Sequence, residues 1–263
     1  MQILELFQKK LKLDFSNIII EVDCGNNVNF NFELKPQDFL RFAKIDIKGD
    51  TQKDYINALT NAKRAIDCEI DGALLKFGIK YDRIKEIANS ANKIVELVNF
   101  ENANLSYKLK LIRALDFAPI DLISKYRNLR NKIEHHYQKP KKNKALEAID
   151  IAELFILSIE SKTQIIIENL FITDKHNYIN NWVYKNFAQL QFDLEKKLFL
   201  LTFYVDNLKI NSLEFNKNDI LFYAFIKLLN NINDEFNFLE SFKIFLKLIN
   251  HPIPEKNIGV IIH

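Results

Sequence analysis

The sequence predicts an α+β fold, mainly α: an antiparallel helical bundle, flanked by small β-containing N- and C-terminal segments. Two observations predict it. Apolar residues recur at helical spacing from residue 51 to about residue 170, and apolar–polar alternation appears on either side of that stretch. The corresponding division is 1–50, a β-rich leader; 51–170, the bundle; and 171–263, a C-terminal α/β segment.

In the leader, an amphipathic start is followed by strand-like alternation in NIIIEV (17–22) and NVNFNFEL (27–34), with CGNN between them offering turn chemistry. From Thr51 the period changes. TQKD provides a capping box, Thr51 with Asp54, and Tyr55, Leu59, Ala62, Ile66, Ile70, Ala73 and Phe77 then share one helical face until Gly78. A second helix follows Asp82 with Ile84, Ile87, Ala91, Ile94 and Val98, and a third carries Leu105, Leu109 and Ile112. Pro119 opens a fourth, with Ile123, Tyr126, Leu129, Ile133 and Tyr137, which Pro140 ends. A fifth runs through Ile149, Ala152, Phe155, Ile156, Ile159, Ile166 and Leu170. Consecutive helices on short connections pack as antiparallel neighbours, hence the bundle. Beyond it, QLQFDL, KLFLLTFYVD and KINSLEF read as strands with Asp206-Asn207 as a turn, and DILFYAFIKLLNN and EFNFLESFKIFLKLIN read as helices. The two ends of the chain can share one mixed sheet.

Composition bounds the function. Hydrophobic residues make up 48% of the chain and charged ones 27%, with 22 Phe and 9 Tyr, enough apolar material for a sizeable core. Two cysteines, Cys24 and Cys68, form no paired framework, which suits a reducing interior. The N-terminus lacks an apolar signal core, and runs such as LFLLTFYV fall far short of the ~20 residues of a membrane helix, so the expectation is a cytoplasmic protein. Gly25, Gly49, Gly72, Gly78 and Gly259 are too scattered for a phosphate-binding loop, and neither G-x-S-x-G nor C-x-x-C occurs. The carboxylates of DCEID, Asp67, Glu69 and Asp71, point to different faces of a helix and read as solvated, with an acid lining the bundle's cleft as the other option. His176, His251 and His263 read as surface residues and Trp182 as a packing anchor.

One stretch stands apart, RNLRNKIEHHYQKPKKNK at 127–144. Between Lys125 and Lys144 lie eight Lys or Arg residues and one acid, Glu134, a local charge of +7 that leaves −4 for the rest of a chain whose net charge is +3. Such localised charge suits a phosphate backbone, with a solvated basic loop as the bland alternative. RNA cleavage through its own 2′-hydroxyl needs a proton acceptor, a proton donor and a cation beside the phosphorane. Histidine serves either proton role near neutral pH, arginine offers a planar fork for phosphate oxygens, and no metal or cofactor is required. At about 100° per residue, Tyr137 falls within roughly 20° of Arg130, whereas His135 is about 140° away and His136 about 120° away in the other sense. Either the helix breaks before His135, or two copies meet at a twofold axis and line a shared cleft; the dimer is the favoured reading.

Arg130, Asn131, His135 and Tyr137 fit an Arg-x4-His-x-Tyr pattern, and at these residues the sequence resembles the HEPN family over about residues 51–170. The resemblance implies a bundle of four or five helices with the motif late in the unit, and a metal-independent endoribonuclease working as a homodimer with the motif at its interface. It implies catalytic roles for Arg130 and His135, an assisting polar role for Asn131, and an accompanying phenol in Tyr137. His136 also satisfies the family's broader spacing and is the alternative to His135. Lys125, Arg127, Lys132, Lys139, Lys141, Lys142 and Lys144 would draw in RNA. Toxin–antitoxin and antiviral settings follow from the resemblance, with a cognate antitoxin or regulatory protein as partner. The alternative is a non-catalytic HEPN-like module that binds nucleotide, RNA or protein.

Overall fold

The computed structural model describes residues 3–28, 32–80, 88–98, 105–120, 123 and 138–263. Two units interleave along the chain: Met1–Asn27, Lys85–Asn99 and Ile165–His263 form a sheet unit, and Val28–Ile84 with Phe100–Gln164 form a helical one.

The sheet unit is built on β1 (Ile18–Asn27), β2 (Ile165–Asp174), β5 (Asn186–Asp193), β6 (Leu198–Val205), β7 (Leu208–Phe215) and β8 (Val260–Ile262), in the order β7-β6-β5-β2-β1-β8. All neighbours are antiparallel except β1 and β8, so the sheet is mixed. The two ends of the chain therefore do share it. Gly259 leads β8 in where the backbones nearly touch: a Cβ there would lie 2.2 Å from the Ser16 carbonyl oxygen. Asp206 and Asn207 turn β6 into β7 with φ of 49° and 63°, the paired left-handed conformation that fits the twist of a two-residue hairpin.

One sheet face is apolar. Ile18, Ile20, Leu170, Ile172, Phe199, Leu201 and Phe203 are buried on it beneath α7 (Ile220–Asn230) and α8 (Glu235–Leu248). The N-terminus contributes α1 (Ile3–Glu5), whose π-helical continuation Leu6–Leu11 drives Phe7 between Phe203 at 5.2 Å and Phe245 at 6.0 Å, both edge-on. Phe199 meets Phe222 and Phe225, each at 5.4 Å. Edge-to-face rings of this kind set the spacing of the layers, because each quadrupole prefers its neighbour's edge. α4 (Ala88–Leu97) belongs to this unit, where Ala91 and Ile94 are buried and Ser90 Oγ donates to the Asn218 carbonyl at the foot of α7. The opposite face carries the small hairpin β3 (Tyr178–Asn180) and β4 (Val183–Tyr184), whose tyrosines bond to Glu21 of β1.

The helical unit holds α2 (Pro36–Asp46), α3 (Gln52–Lys76), α5 (Tyr107–Ala114) and α6 (Lys142–Thr163) among the described residues. α3 starts on the reciprocal cap expected of Thr51: the Asp54 N–H donates to Thr51 Oγ1 at 3.3 Å and the Thr51 N–H to Asp54 Oδ2 at 3.1 Å. Its stripe Tyr55, Leu59, Ala62, Ile66, Ile70 and Ala73 is buried, and Gly78 leaves the helix at φ 74°. α2 and α6 pack on it, and Lys108 of α5 pairs with its Asp71 at 2.6 Å.

The structure overturns the expectation of a bundle-dominated fold with small β flanks. The molecule is a mixed α/β protein organised on a large mixed sheet. Two local causes account for this. The fifth helix ends at Thr163, and IIIENLFITD, where Ile166 and Leu170 satisfy both a helical and an alternating period, forms β2. The second helix leaves the run of helices for α7 of the sheet unit. CGNN is likewise no turn, since Gly25, Asn26 and Asn27 continue β1 opposite Ile167, Ile166 and Ile165, and Phe32–Leu34 are not a strand. Pro119, expected to open the fourth helix, and Ile120 are not helical, whereas Ile123 is; the rest of that helix lies outside the described residues.

Thr51→Ala removes one partner of the cap and should cost about 1 kcal/mol, read as a lower denaturation midpoint at unchanged m-value. Phe7→Ala should cost about 3–5 kcal/mol, because the ring is fully buried among three others and the cavity cannot close around it.

Candidate functional site

Of the residues the sequence singles out, Lys125, Arg127, Arg130, Asn131, Lys132, His135, His136 and Tyr137 lie outside the described residues. The described part of the basic stretch begins at Gln138. Pro140 is buried, while Lys139, Lys141, Lys142 and Lys144 are exposed around the start of α6. Lys141 is the residue before the first helical turn, and it makes no side-chain cap. Lys142 pairs with Asp50 at 3.0 Å, and Lys144 with Glu147 one turn on. The Asp50 carboxyl is held below its ordinary value first by the Tyr55 hydroxyl and then by Lys142. Among the described residues Lys139 and Lys141 have no ion-pair partner.

This is an unfavourable way to begin a helix. Free N–H groups give the N-terminus a partial positive charge, so lysines there oppose the dipole instead of complementing it. The same arrangement is favourable for an anion, which would meet amide hydrogens and ammonium groups on one side.

Deeper in the helical unit sits a titratable cluster that joins three helices. Glu69 of α3 is 2% exposed, and burial first, then the nearby Glu160 carboxylate, push its carboxyl up to about 7, with Lys76 acting the other way. Lys76 donates to the Thr163 carbonyl at 2.9 Å and to Thr163 Oγ1 at 3.1 Å, fastening the last residue of α3 to the last of α6. Burial lowers the pKa of this ammonium, and Glu69 and Glu160 oppose the shift. Gln37 Nε2 of α2 donates to Glu160 Oε1. A carboxyl near 7 has the proton affinity of an acid–base catalyst, but one this buried meets no substrate, so its role is in packing. Its neighbours diverge as helix geometry requires: Asp67 pairs with Lys63 at 3.1 Å on the surface and Asp71 with Lys108. The Cys68 thiol is pushed up to about 12 by burial and the surrounding acids, and is unsuited to nucleophilic work.

The sheet unit has a constellation that sequence reading missed. Glu21 is 4% exposed, yet its carboxylate accepts from the Tyr178 hydroxyl at 3.0 Å, the Trp182 N–H at 3.0 Å and the Tyr184 hydroxyl. Burial and Glu21 raise the pKa of both phenols. Trp182 is no buried anchor: it is 52% exposed, sits at φ 63°, and stands edge-on to Phe171 at 5.9 Å. Beside it Ile179 and Val183 are exposed too. The signal was present in the sequence as one acid inside the apolar run IIIEV and three aromatic residues within YINNWVY. Of the histidines, His176 is exposed, His251 packs on Phe15 at 4.3 Å and His263 stacks on Tyr178 at 5.7 Å. Among the described residues no group of three or more His, Cys, Asp or Glu side chains is disposed to hold a metal, and no helix is long and apolar enough to cross a membrane.

Compared with models of protein families, with curated proteins and with solved structures, the chain matches none.

The Glu69 carboxyl gives a pH signature. Below its ordinary value of 4.5 it is protonated whether the chain is folded or unfolded; from there to about 7 only the folded form keeps the proton. Stability should therefore fall as pH rises through that window. Glu69→Gln should flatten this slope and raise stability at pH 8 by about 1–3 kcal/mol, measured by urea unfolding at a series of pH values.

Proposed function

We propose that the chain is a metal-independent endoribonuclease of HEPN type, with Arg130 and His135 as its catalytic pair. The observation that carries this reading is the pattern Arg130-x4-His135-x-Tyr137, with Asn131 after the arginine, running directly into lysines exposed at the start of α6. The reaction is in-line attack of the 2′-oxygen on phosphorus. One His135 imidazole takes the 2′-hydroxyl proton as the new P–O bond forms; the partner subunit's His135, protonated, gives its proton to the 5′-oxygen as the P–O5′ bond breaks. The products are a 2′,3′-cyclic phosphate and a 5′-hydroxyl. Arg130 holds the charge that grows on the phosphorane, and Asn131 and Tyr137 fix the phosphate by hydrogen bonds. His136, which also fits the broader spacing, is the alternative to His135 in both proton roles.

Lys139 and Lys141, the two loop lysines without an ion-pair partner among the described residues, draw in the RNA backbone together with Lys125, Arg127 and Lys132. Lys142 and Lys144 exchange their surface carboxylates for phosphate at little cost, because exposed pairs are weak. Single-stranded RNA is the substrate that permits in-line geometry. The setting that accompanies the proposal is a cytoplasmic toxin or antiviral effector, held in check by an antitoxin or regulatory protein. A second reading, a non-catalytic module that docks a protein, is favoured by one observation, the exposed Ile179, Trp182 and Val183 on a hairpin braced by Glu21.

The deciding experiment is incubation of a mixed RNA pool with wild type and His135→Ala in EDTA. Cutting by the wild type alone, with cyclic phosphate ends, is expected; a folded wild type that leaves all RNA intact would sink the catalytic reading and favour the docking module. Lys141→Ala should weaken RNA binding uniformly across sequences and reduce the salt slope by about 0.7, one phosphate contact on a single strand, in fluorescence anisotropy titrations.

A further inference from the structure

Among the described residues the outer edge of the six-stranded sheet is β7, Leu208–Phe215, which hydrogen-bonds to β6 on one side only. Its register with β6 contains one irregularity. Phe203 opposes Asn211 and Tyr204 opposes Lys209, so Ile210 is an extra residue without a partner. A bulge of this kind exchanges the faces on which residues before and after it point. Ser212 and Glu214 follow Thr202 and Leu200 on the face that also carries Glu21, and the bulge puts Lys209 on that face with Tyr204.

Backbone direction follows the same count. The pair Val205 and Leu208 closes a two-residue turn, so the peptide groups of Leu208 point toward β6 and those of Lys209 point away. Past the bulge, Ser212 and Glu214 turn outward. The Ser212 N–H fits this, since it is met by its neighbour's Asn211 Oδ1 at 2.8 Å. The three outward residues are thus a cation, a small hydroxyl and an anion, and all three side chains share one face.

We infer that β7 pairs antiparallel with β7 of a second copy of this chain about a twofold axis at Ser212, making one continuous sheet. In this register Ser212 meets the partner's Ser212, Glu214 meets the partner's Lys209, and Phe215 meets the partner's Leu208. Every facing pair lies on the same face, and every outward peptide group faces an outward one, with the Ser212 N–H exchanging Asn211 Oδ1 for the partner's Ser212 carbonyl. The two-fold repeats the Lys209–Glu214 pair, so two ion pairs form across the seam. Neither side chain has an ion-pair partner among the described residues.

The apolar residues fit the same operation. Leu208 is 72% exposed at the end of the edge strand. At the other end, an open cavity of about 380 Å³ is lined chiefly by apolar residues, Leu213, Phe215, Leu248 and Ile249 among them, with Glu214 and Asn250 as its polar members. The pairing brings the partner's Leu208 opposite Phe215, at the mouth of that cavity, and symmetry fills the second cavity with Leu208. A charge and a bulge on an edge ordinarily deter pairing with other strands. A copy of the same strand answers both deterrents at once, which favours self-association over a foreign peptide.

The inference is independent of the ribonuclease reading and is tested by association, not by cleavage. Sedimentation velocity of the wild type should show an association step made by this strand, giving a dimer if β7 alone pairs and a tetramer if the Arg130/His135 site pairs as well; charge reversals at Lys209 and Glu214 act on this step alone. Lys209→Glu and Glu214→Lys, each placing like charges at both seam pairs, should each weaken dimerisation by at least about tenfold. Mixing the two variants should restore a dimer, now mixed, because each supplies the charge that the other lacks, and the double variant should dimerise alone. Far-ultraviolet circular dichroism of each variant separates loss of pairing from loss of fold. A monomeric wild type, which would leave this edge to some other chain, or a dimer indifferent to both reversals, overturns the proposal.

Discussion

The structure depends on one pairing, β1 against β2, in which Ile18 opposes Asp174 and Asn27 opposes Ile165. These strands are adjacent and antiparallel, as in a hairpin, but the segment that joins them is Val28–Gln164. The helical unit is thus inserted where a turn of a few residues would do. Closing so long a loop costs roughly 3 kcal/mol more than closing a short one, a modest sum because the penalty grows only with the logarithm of length. What offsets it is a ten-residue strand with apolar residues on both faces, locked on its other side by β8. Insertions are tolerated where chain ends lie close together, and directly opposed strand ends meet that condition.

This architecture explains which elements could be read in the sequence. α3 was legible because its signals are local: a capping box, seven apolar positions in register and a glycine at the exit. The β6–β7 turn was legible for the same reason, as Asp206-Asn207 is a pair that accepts left-handed backbone. Where local signals were ambiguous, distant partners decided. In IIIENLFITD the residues Ile166 and Leu170 fit a helix as well as a strand, and it is β1 and β5 that make it a strand. CGNN has turn composition, but opposite Ile165–Ile167 its peptide groups gain more by continuing the ladder. α2 was missed although Pro36 opens it and Asp38 reaches back to the Lys35 N–H at 2.9 Å. Its apolar face is thin, Leu40 and Ala43 with the half-buried Phe39 and Phe42, and the strand-like text before it masked the change of period.

The candidate chemistry was legible in a different way. Arg130, His135 and Tyr137 announce themselves by type and spacing, which need no fold to be seen. The lysines after them were read as a basic surface, and Lys139, Lys141, Lys142 and Lys144 are exposed. Glu69 and Glu21 had no such signature, because what sets them apart is burial beside particular partners, supplied for Glu69 by Glu160 and Lys76 and for Glu21 by Tyr178, Trp182 and Tyr184. A lone acid in an apolar strand is a weak sign in sequence and a strong one in structure, since a buried carboxylate without donors would cost several kcal/mol.

Interleaving also bears on how the chain is threaded through its two units. The chain passes between them four times, after Asn27, Ile84, Asn99 and Gln164. Two crossings would suffice for an insertion; the other two deliver α4 to the sheet unit, where buried Ala91 and Ile94 and the Ser90 bond to Asn218 anchor it against α7. A helix anchored in one unit but connected at both ends to the other turns a cassette into a stitch. If α4 left α7, the sheet unit would expose Ala91 and Ile94, so the two extra crossings serve the packing of that unit.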